Sequence, residues 1–117
     1  MRLAIPEWDG YVSPVLDTAR RMLLIELDRG VEVRREAVIL MEAGPSQRAA
    51  QLLNLHVDAV ICCSISHALE ASVVSLGVKI VRHICGPVEE AITAFAAGGP
   101  IPQSLIMPGC SRRKRKW

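Results

Sequence analysis

Aromatic residues are scarce in this sequence: one Phe, one Tyr and two Trp make up 3% of its 117 residues. Half of the residues are hydrophobic, so the core must be built from Val, Ile, Leu and Ala side chains. Long apolar runs are also missing, because none reaches the roughly 18 residues of a transmembrane helix. The apolar part of residues 1–6 is too short for a signal peptide. We therefore expect one globular domain, located in the cytoplasm and not in a membrane.

A strong excess of one charge is absent as well. The net charge is +2, and five of the 14 basic residues lie between Arg112 and Lys116. Without this basic run, the remaining basic residues are outnumbered by the 12 acidic ones. The body of the chain is therefore mildly acidic, and we do not expect the domain to bind nucleic acid.

The four cysteines, Cys62, Cys63, Cys85 and Cys110, include no C-x-x-C pair. This spacing argues against a zinc finger. Because a reducing cytosol is expected, thiol or metal–sulfur chemistry is favoured over structural disulfides.

Hydrophobic periodicity predicts five strands and three helices. Residues 2–5 form a first strand stopped by Pro6, and residues 7–19 form a long loop. Residues 21–27 and 31–40 form an antiparallel hairpin with one solvent-exposed face. Helices over 44–55, 66–77 and 87–98 alternate with buried strands over 57–62 and 78–81. The order β-β-β-α-β-α-β-α indicates an α/β fold with a mixed five-stranded sheet covered by helices. We assign residues 1–99 to this domain and residues 100–117 to a flexible basic tail.

Polar and sulfur-containing residues follow the carboxyl ends of the predicted parallel strands, where such folds bind ligands. Cys62 and Cys85 are separated by one helix-plus-strand unit and should emerge at the same edge of the sheet. Amides at the start of the helix that Ser66 caps would attract anions there. The expected cofactor-binding residues at this edge are Ser13, Cys62, Cys63, Ser64, Ser66, His67, His83 and Cys85, with Cys110 as a mobile ligand from the tail.

We predict Cys62 and Cys85 as the metal ligands, since thiolates suit copper, iron and iron–sulfur species. If the strand continues past Cys62, Cys63 points to the opposite face, so one of the two belongs to the core. Which of them faces the site stays open. His56 follows a helix where glycine is usual, and we expect it to adopt left-handed backbone geometry.

Several segments together resemble the dinitrogenase iron–molybdenum cofactor biosynthesis family. They are LAIP near the start, VSPV in the loop, NLHVDAVICCSISHALEA, GVKIV and CGPVEEAITAF. One subgroup of this family also has Cys-Gly before the last helix and a Met-Pro-Gly-Cys sequence before a basic end, similar to Cys85-Gly86 and Met107–Cys110 here. The family includes small carriers of the nitrogenase cofactor and the C-terminal module of the scaffold on which it is built.

The resemblance implies a three-layer ribonuclease H-like fold and a non-catalytic role. It implies that the protein binds, carries or protects a metal–sulfur cluster, either iron–molybdenum cofactor-like or another Fe, Mo or Cu–S species, during cofactor biosynthesis. Other cofactor-assembly proteins would then be its partners, and an exposed sheet edge would allow a homodimer.

Two alternatives stay open. A nuclease of the ribonuclease H type would need clustered carboxylates, and Glu26, Glu32, Glu36 and Asp58 do not group that way in the sequence. A small thiol redox or regulatory module would use the adjacent Cys62 and Cys63, although such a disulfide is strained.

Overall fold

The computed structural model describes residues 1–109 and 115–117, which form a mixed sheet with three helices. The elements are, in chain order, β1 (Arg2–Trp8), β2 (Tyr11–Val12), β3 (Arg21–Asp28), β4 (Val31–Ile39), α1 (Pro45–Asn54), β5 (Ala59–Ile61), α2 (His67–Ser75), β6 (Lys79–Val81) and α3 (Val88–Ala97). Two short 3-10 turns lie at Leu16–Thr18 and Gln103–Leu105.

The strands are ordered β4-β3-β1-β5-β6 across the sheet, and the short β2 pairs with β1. Strand β1 runs antiparallel to β3 and parallel to β5, which is in turn parallel to β6. The predicted α/β class, the β3–β4 hairpin and the parallel crossovers are thus confirmed. The sheet has six strands instead of five because part of the predicted loop over 7–19 forms β2.

Pro6 does not end the first strand, contrary to our prediction. It lies opposite Met22 of β3, beyond the last parallel pair between β1 and β5, which is Ala4 with Val60. The missing N–H therefore breaks no bond to β5. The carbonyl of Pro6 accepts a hydrogen bond from the Ser13 amide at 2.7 Å, so the chain returns along β1 immediately afterwards.

Alternation of side chains along the central strands divides the core into two layers. Ala59 and Ile61 of β5 pack on one face with α3, whereas Val60 packs on the other face with α1 and α2. Strands β1 and β3 alternate in the same way. The fold therefore has three layers, with α1 and α2 on one side of the sheet and α3 on the other.

The sequence predicts where the helices end, but it predicts less well which of their side chains are buried. His56 has a φ of +57° directly after α1, which confirms its predicted left-handed geometry. On α1, however, the charged Arg48 is buried while the apolar Leu53 is exposed, and the Arg48 guanidinium donates to the Asp17 carbonyl at 3.0 Å. Leu76, the residue that directly follows α2, is likewise exposed.

Residues 101–107, which we call the segment after α3, are part of the fold and not of the extended tail that we expected from residue 100. Ile101, Leu105 and Ile106 are buried in the same layer as α3. Ile106 also bridges Ile84 in antiparallel fashion. These three aliphatic residues therefore extend the core layer that α3 forms with the sheet.

Strand β4 is exposed on both faces along nearly its whole length, which differs from the single exposed face that we expected. Its Arg35 pairs with Glu89 of α3, and this contact ties the outer strand to the helix layer. Because β4 lies at the open edge of the sheet, the homodimer that we expected through such an edge stays a prediction. Within the ranges 1–109 and 115–117, no helix combines the length and apolar character needed to cross a membrane.

Replacing Leu105 by Ala tests whether the segment after α3 stabilises the domain. Leu105 is 2% exposed, so losing its side chain should lower the free energy of unfolding by about 2–5 kcal/mol. Leu53→Ala on α1 is the matched control, because Leu53 is 45% exposed and should change stability by less than about 1 kcal/mol. Urea unfolding followed by circular dichroism measures both, and equal effects would contradict a structural role for this segment.

Candidate functional site

The carboxyl ends of β1, β5 and β6 lie at one edge of the sheet, as predicted for parallel strands. Cys62 and Cys63 directly follow β5, and Cys85 lies four residues beyond the end of β6. The turn after β6 is fixed to the end of β5, because the amides of His83 and Ile84 donate to the carbonyls of Cys63 and Cys62 at 2.8 and 3.1 Å. The segments that follow β5 and β6 therefore place their cysteine residues at neighbouring positions.

Three sulfur atoms meet at this edge. Cys63 Sγ lies 3.2 Å from Cys85 Sγ and 3.5 Å from Met107 Sδ. Cys63 is 8% exposed, whereas Cys85 and Met107 are half-buried. The cluster, which we call the sulfur site (Cys63, Cys85 and Met107), is thus closed on the side of the core and open on the side of solvent.

The segment after α3 completes the sulfur site. The Cys85 amide donates to the Leu105 carbonyl at 2.7 Å, and the Met107 amide donates to the His83 carbonyl at 2.8 Å. Residues 105–107 therefore run alongside residues 83–85, which brings the Met107 thioether next to the Cys63 thiol. We did not predict Met107 as a site residue, although the Met-Pro-Gly-Cys sequence was a signal for it.

Cys62 does not join Cys85, contrary to our prediction of these two as the metal ligands. Its side chain is fully buried on the opposite face of the sheet, among the residues of the α1 and α2 layer. Burial, together with the neighbouring Cys63, raises the pKa of the Cys62 thiol to about 12. The alternation that continues from β5 thus assigns Cys63 to the site and Cys62 to the core.

His83 lies at the sulfur site through its backbone. Its amide and carbonyl bond to Cys63 and Met107, and its φ of +66° forms the turn between β6 and Cys85. Burial and the positive charges of Arg82 and Arg115 lower the pKa of the imidazole. The lowered pKa favours the neutral imidazole, the form that can bind a metal, and Arg82 itself pairs with Glu70 at 3.0 Å.

Ser13 lies in the loop after β2, and Ser64 lies in the turn after β5 against which this loop packs. The Ser64 amide donates to the Pro14 carbonyl at 3.0 Å, and the Leu16 amide donates to the Ser64 carbonyl at 2.9 Å. Val15 thereby bridges Ser64 in parallel fashion. The structure thus places both serines at the expected edge, where the backbone of Ser64 holds the loop and the amide of Ser13 bonds to the Pro6 carbonyl.

Ser66 and His67 are engaged elsewhere or exposed. Ser66 caps α2 by accepting from the Leu69 amide, as predicted. Its own amide and hydroxyl donate to the carboxylate of Asp17 at 2.9 and 2.5 Å. The start of α2, where we expected an anionic ligand, thus already binds the carboxylate of Asp17. His67 faces solvent.

Carboxylates do not form a metal site in the part of the chain that the structure describes, where no group of three or more His, Cys, Asp or Glu residues could hold a metal ion. Glu26 and Asp58 lie at the other end of β1, where both bind Arg2. Glu32 pairs with Arg35. The predicted ligand Cys110 lies outside the described residues.

A family model described as dinitrogenase iron–molybdenum cofactor matches residues 1–98. The chain belongs to this family. The resemblance noted in the sequence is thereby confirmed over most of the length of the domain. No curated protein matches the chain.

Solved structures similar to this family member share its fold. The crystal structure of PH0822 superposes with a TM-score of 0.78 at 21% identity and covers 83% of this chain and 89% of its own. A crystal structure of a provisionally assigned dinitrogenase from Methanocaldococcus jannaschii has a TM-score of 0.68 at 18% identity, covering 83% and 88%. An NMR structure of a provisionally assigned NifB protein from Thermotoga has a TM-score of 0.65 at 24% identity, covering 96% and 97%.

Alkylation of the native, reduced protein with iodoacetamide at pH 8 should separate the adjacent cysteines. Cys62 is fully buried with a pKa of about 12, so about one molecule in ten thousand carries its thiolate at this pH. The half-buried Cys85 should be modified far faster. Mass spectrometry of digested protein measures both, and labelling in urea, where Cys62 should react normally, is the control. Rapid native labelling of Cys62 would contradict its place in the core.

Proposed function

We propose that this protein is a non-catalytic carrier that binds and protects a metal–sulfur cluster during cofactor biosynthesis. The observation that carries the proposal is the 3.2 Å approach of Cys63 Sγ and Cys85 Sγ at the carboxyl edge of the sheet. Membership of the dinitrogenase iron–molybdenum cofactor family supports an iron–molybdenum or related cluster as the cargo. The strand order, with an antiparallel hairpin beside parallel strands, supports a ribonuclease H-like fold.

The access to the site favours cargo that is bound at the surface. Cys85 and Met107 are half-buried, so a cluster can approach them from solvent while Cys63 supplies a second sulfur from below. Arg82 and Arg115 lie at this edge, where the Arg115 guanidinium donates to the Arg82 carbonyl at 2.8 Å. Arg82 also forms an ion pair with Glu70, so the positive charge that suits an anionic cluster comes mainly from Arg115. Other cofactor-assembly proteins would deliver and remove the cluster.

Anaerobic reconstitution tests the carrier function. Reduced protein mixed with iron, molybdate or copper plus sulfide should retain a coloured species through gel filtration, with sulfur-to-metal charge-transfer absorbance. The double variant Cys63→Ser/Cys85→Ser should lose most of this absorbance, because oxygen replaces both soft ligands.

The matched control for reconstitution is Cys62→Ala, which removes a thiol next to the site but on the other face of the sheet. It should retain the absorbance of the unsubstituted protein. If the double variant retains the species as well, the two thiols are not ligands. If no metal and sulfide mixture is retained by any variant, the carrier function is wrong.

The same sulfur distance favours a second candidate, a thiol redox module. The adjacent pair that we first considered does not fit it, since Cys62 and Cys63 face opposite core layers. Cys63 and Cys85 face each other instead, and oxidation by a mild oxidant such as diamide would join their sulfurs with loss of two protons and two electrons.

Diamide treatment of the metal-free protein tests this second candidate. We expect a Cys63–Cys85 cross-linked peptide and a mass lower by two hydrogen atoms, both reversed by dithiothreitol. Cys62→Ala should behave like the unsubstituted protein, whereas Cys85→Ser should form no such peptide. Oxidation that instead joins Cys62 to Cys63 would contradict the observed placement of these side chains.

A further inference from the structure

We propose that the sulfur site binds a single Cu(I) ion through Cys63, Cys85 and Met107. This inference rests on the proposed carrier function in taking the same edge as the place of metal cargo. It goes beyond that function by naming the metal and by adding a thioether ligand from the segment after α3.

The chemistry of the three donors selects a soft, monovalent ion. Thiolate and thioether sulfur together favour Cu(I), whereas Zn²⁺ takes Cys, His or carboxylate ligands and is usually four-coordinate. The Met107 Sδ lies 3.5 Å from Cys63 Sγ and is the third sulfur at a site with two thiols. A thioether contributes little to binding a hard ion such as Mg²⁺ or Ca²⁺, and together with two thiolates it favours the soft Cu(I).

The spacing of the sulfur atoms fits such an ion after a small adjustment. Metal–sulfur bonds of about 2.3 Å place three sulfurs in a trigonal plane about 4 Å apart. The observed separations of 3.2 and 3.5 Å are shorter than this. The sulfurs must therefore move apart by less than about 1 Å, and Cys85 and Met107, both half-buried, are less tightly enclosed than Cys63.

The surroundings suit the resulting charge. Two thiolates and one Cu(I) carry a net charge of −1, and binding releases the two thiol protons to solvent. Arg115 lies beside His83 at this edge and supplies compensating positive charge, whereas Arg82 is paired with Glu70. The apolar residues below Cys63, including Ile61 and Ile84, exclude water from the inner side of the site.

Titration of the full chain with Cu(I) alone, under anaerobic conditions and without sulfide, tests the site. Cys110 is replaced by Ser throughout, so that the fourth thiol does not add a ligand. Competition with the chelator bicinchoninate measures affinity, and X-ray absorption counts the sulfur neighbours of copper. We expect one Cu(I) per chain with three sulfur neighbours, and no displacement by an equal concentration of Zn²⁺.

The variant Met107→Leu tests what the thioether contributes to Cu(I) binding while both thiols are kept. This swap conserves volume and should leave the melting temperature nearly unchanged. It should reduce the sulfur count from three to two and weaken Cu(I) binding by about tenfold or more, which is about 1.4 kcal/mol. Met41→Leu is the matched control, because Met41 is 71% exposed and follows β4, and it should change neither quantity.

The outcomes distinguish this inference from the proposed function. Retention of a sulfide-containing cluster without binding of Cu(I) alone would leave the carrier function in place and overturn the copper site. Three sulfur neighbours and undiminished affinity in Met107→Leu would overturn the role of the thioether. Stoichiometric Cu(I) binding without cluster retention would support the copper site and contradict the carrier function.

Discussion

The two-residue period of strand β5 is the constraint on which the candidate site depends. Side chains on this strand alternate between a layer under α1 and α2 and a layer under α3, and the alternation continues for two residues beyond its last paired residue. It places Cys62 in one layer and Cys63 in the other. Because Cys85 and Met107 both approach from the α3 side, only Cys63 can meet them. A shift of one residue in this register would exchange the two thiols.

The second constraint is the segment after α3, which serves the core and the site at once. Leu105 contributes its side chain to the core and its carbonyl to the amide of Cys85. Two residues on, the backbone of Met107 bonds to His83. The position of the thioether is therefore held by the packing of aliphatic residues and by a short antiparallel pairing. Stability and site geometry depend on the same few residues.

Much of the fold could be predicted from local signals. The hairpin at Gly30, the cap at Ser66 and the left-handed residue His56 are set by their immediate neighbours, so the sequence around each is sufficient. The prediction that Pro6 ends the first strand was wrong, because the effect of a proline in a strand depends here on where the neighbouring strand β5 stops. Arg48 was missed because its burial depends on a carbonyl acceptor 31 residues away.

The candidate site could be predicted only in part for the same reason. The topology of parallel crossovers was enough to place sulfur at one edge of the sheet. The choice between Cys62 and Cys63 required knowing that strand-like alternation continues past Ile61, and both alternatives were compatible with the sequence. Met107 required a contact with residues more than 20 positions earlier in the chain, made by a segment whose Pro- and Gly-rich sequence is typical of a tail.

The size of the sulfur site limits what the protein can enclose. With Cys63 Sγ 3.2 Å from Cys85 Sγ, the space between the thiols holds at most one ion, and a cluster of several metals has to lie outside it. Such a cluster would lie over the half-buried Cys85 and Met107, with Cys63 as a second thiol below them and the positive charge of Arg115 beside them. Few ligands and an open outer side favour exchange over permanent retention, because less of the cargo has to be desolvated and released at each transfer. A single Cu(I) and a larger cluster would thus share the same outer ligands and exclude each other.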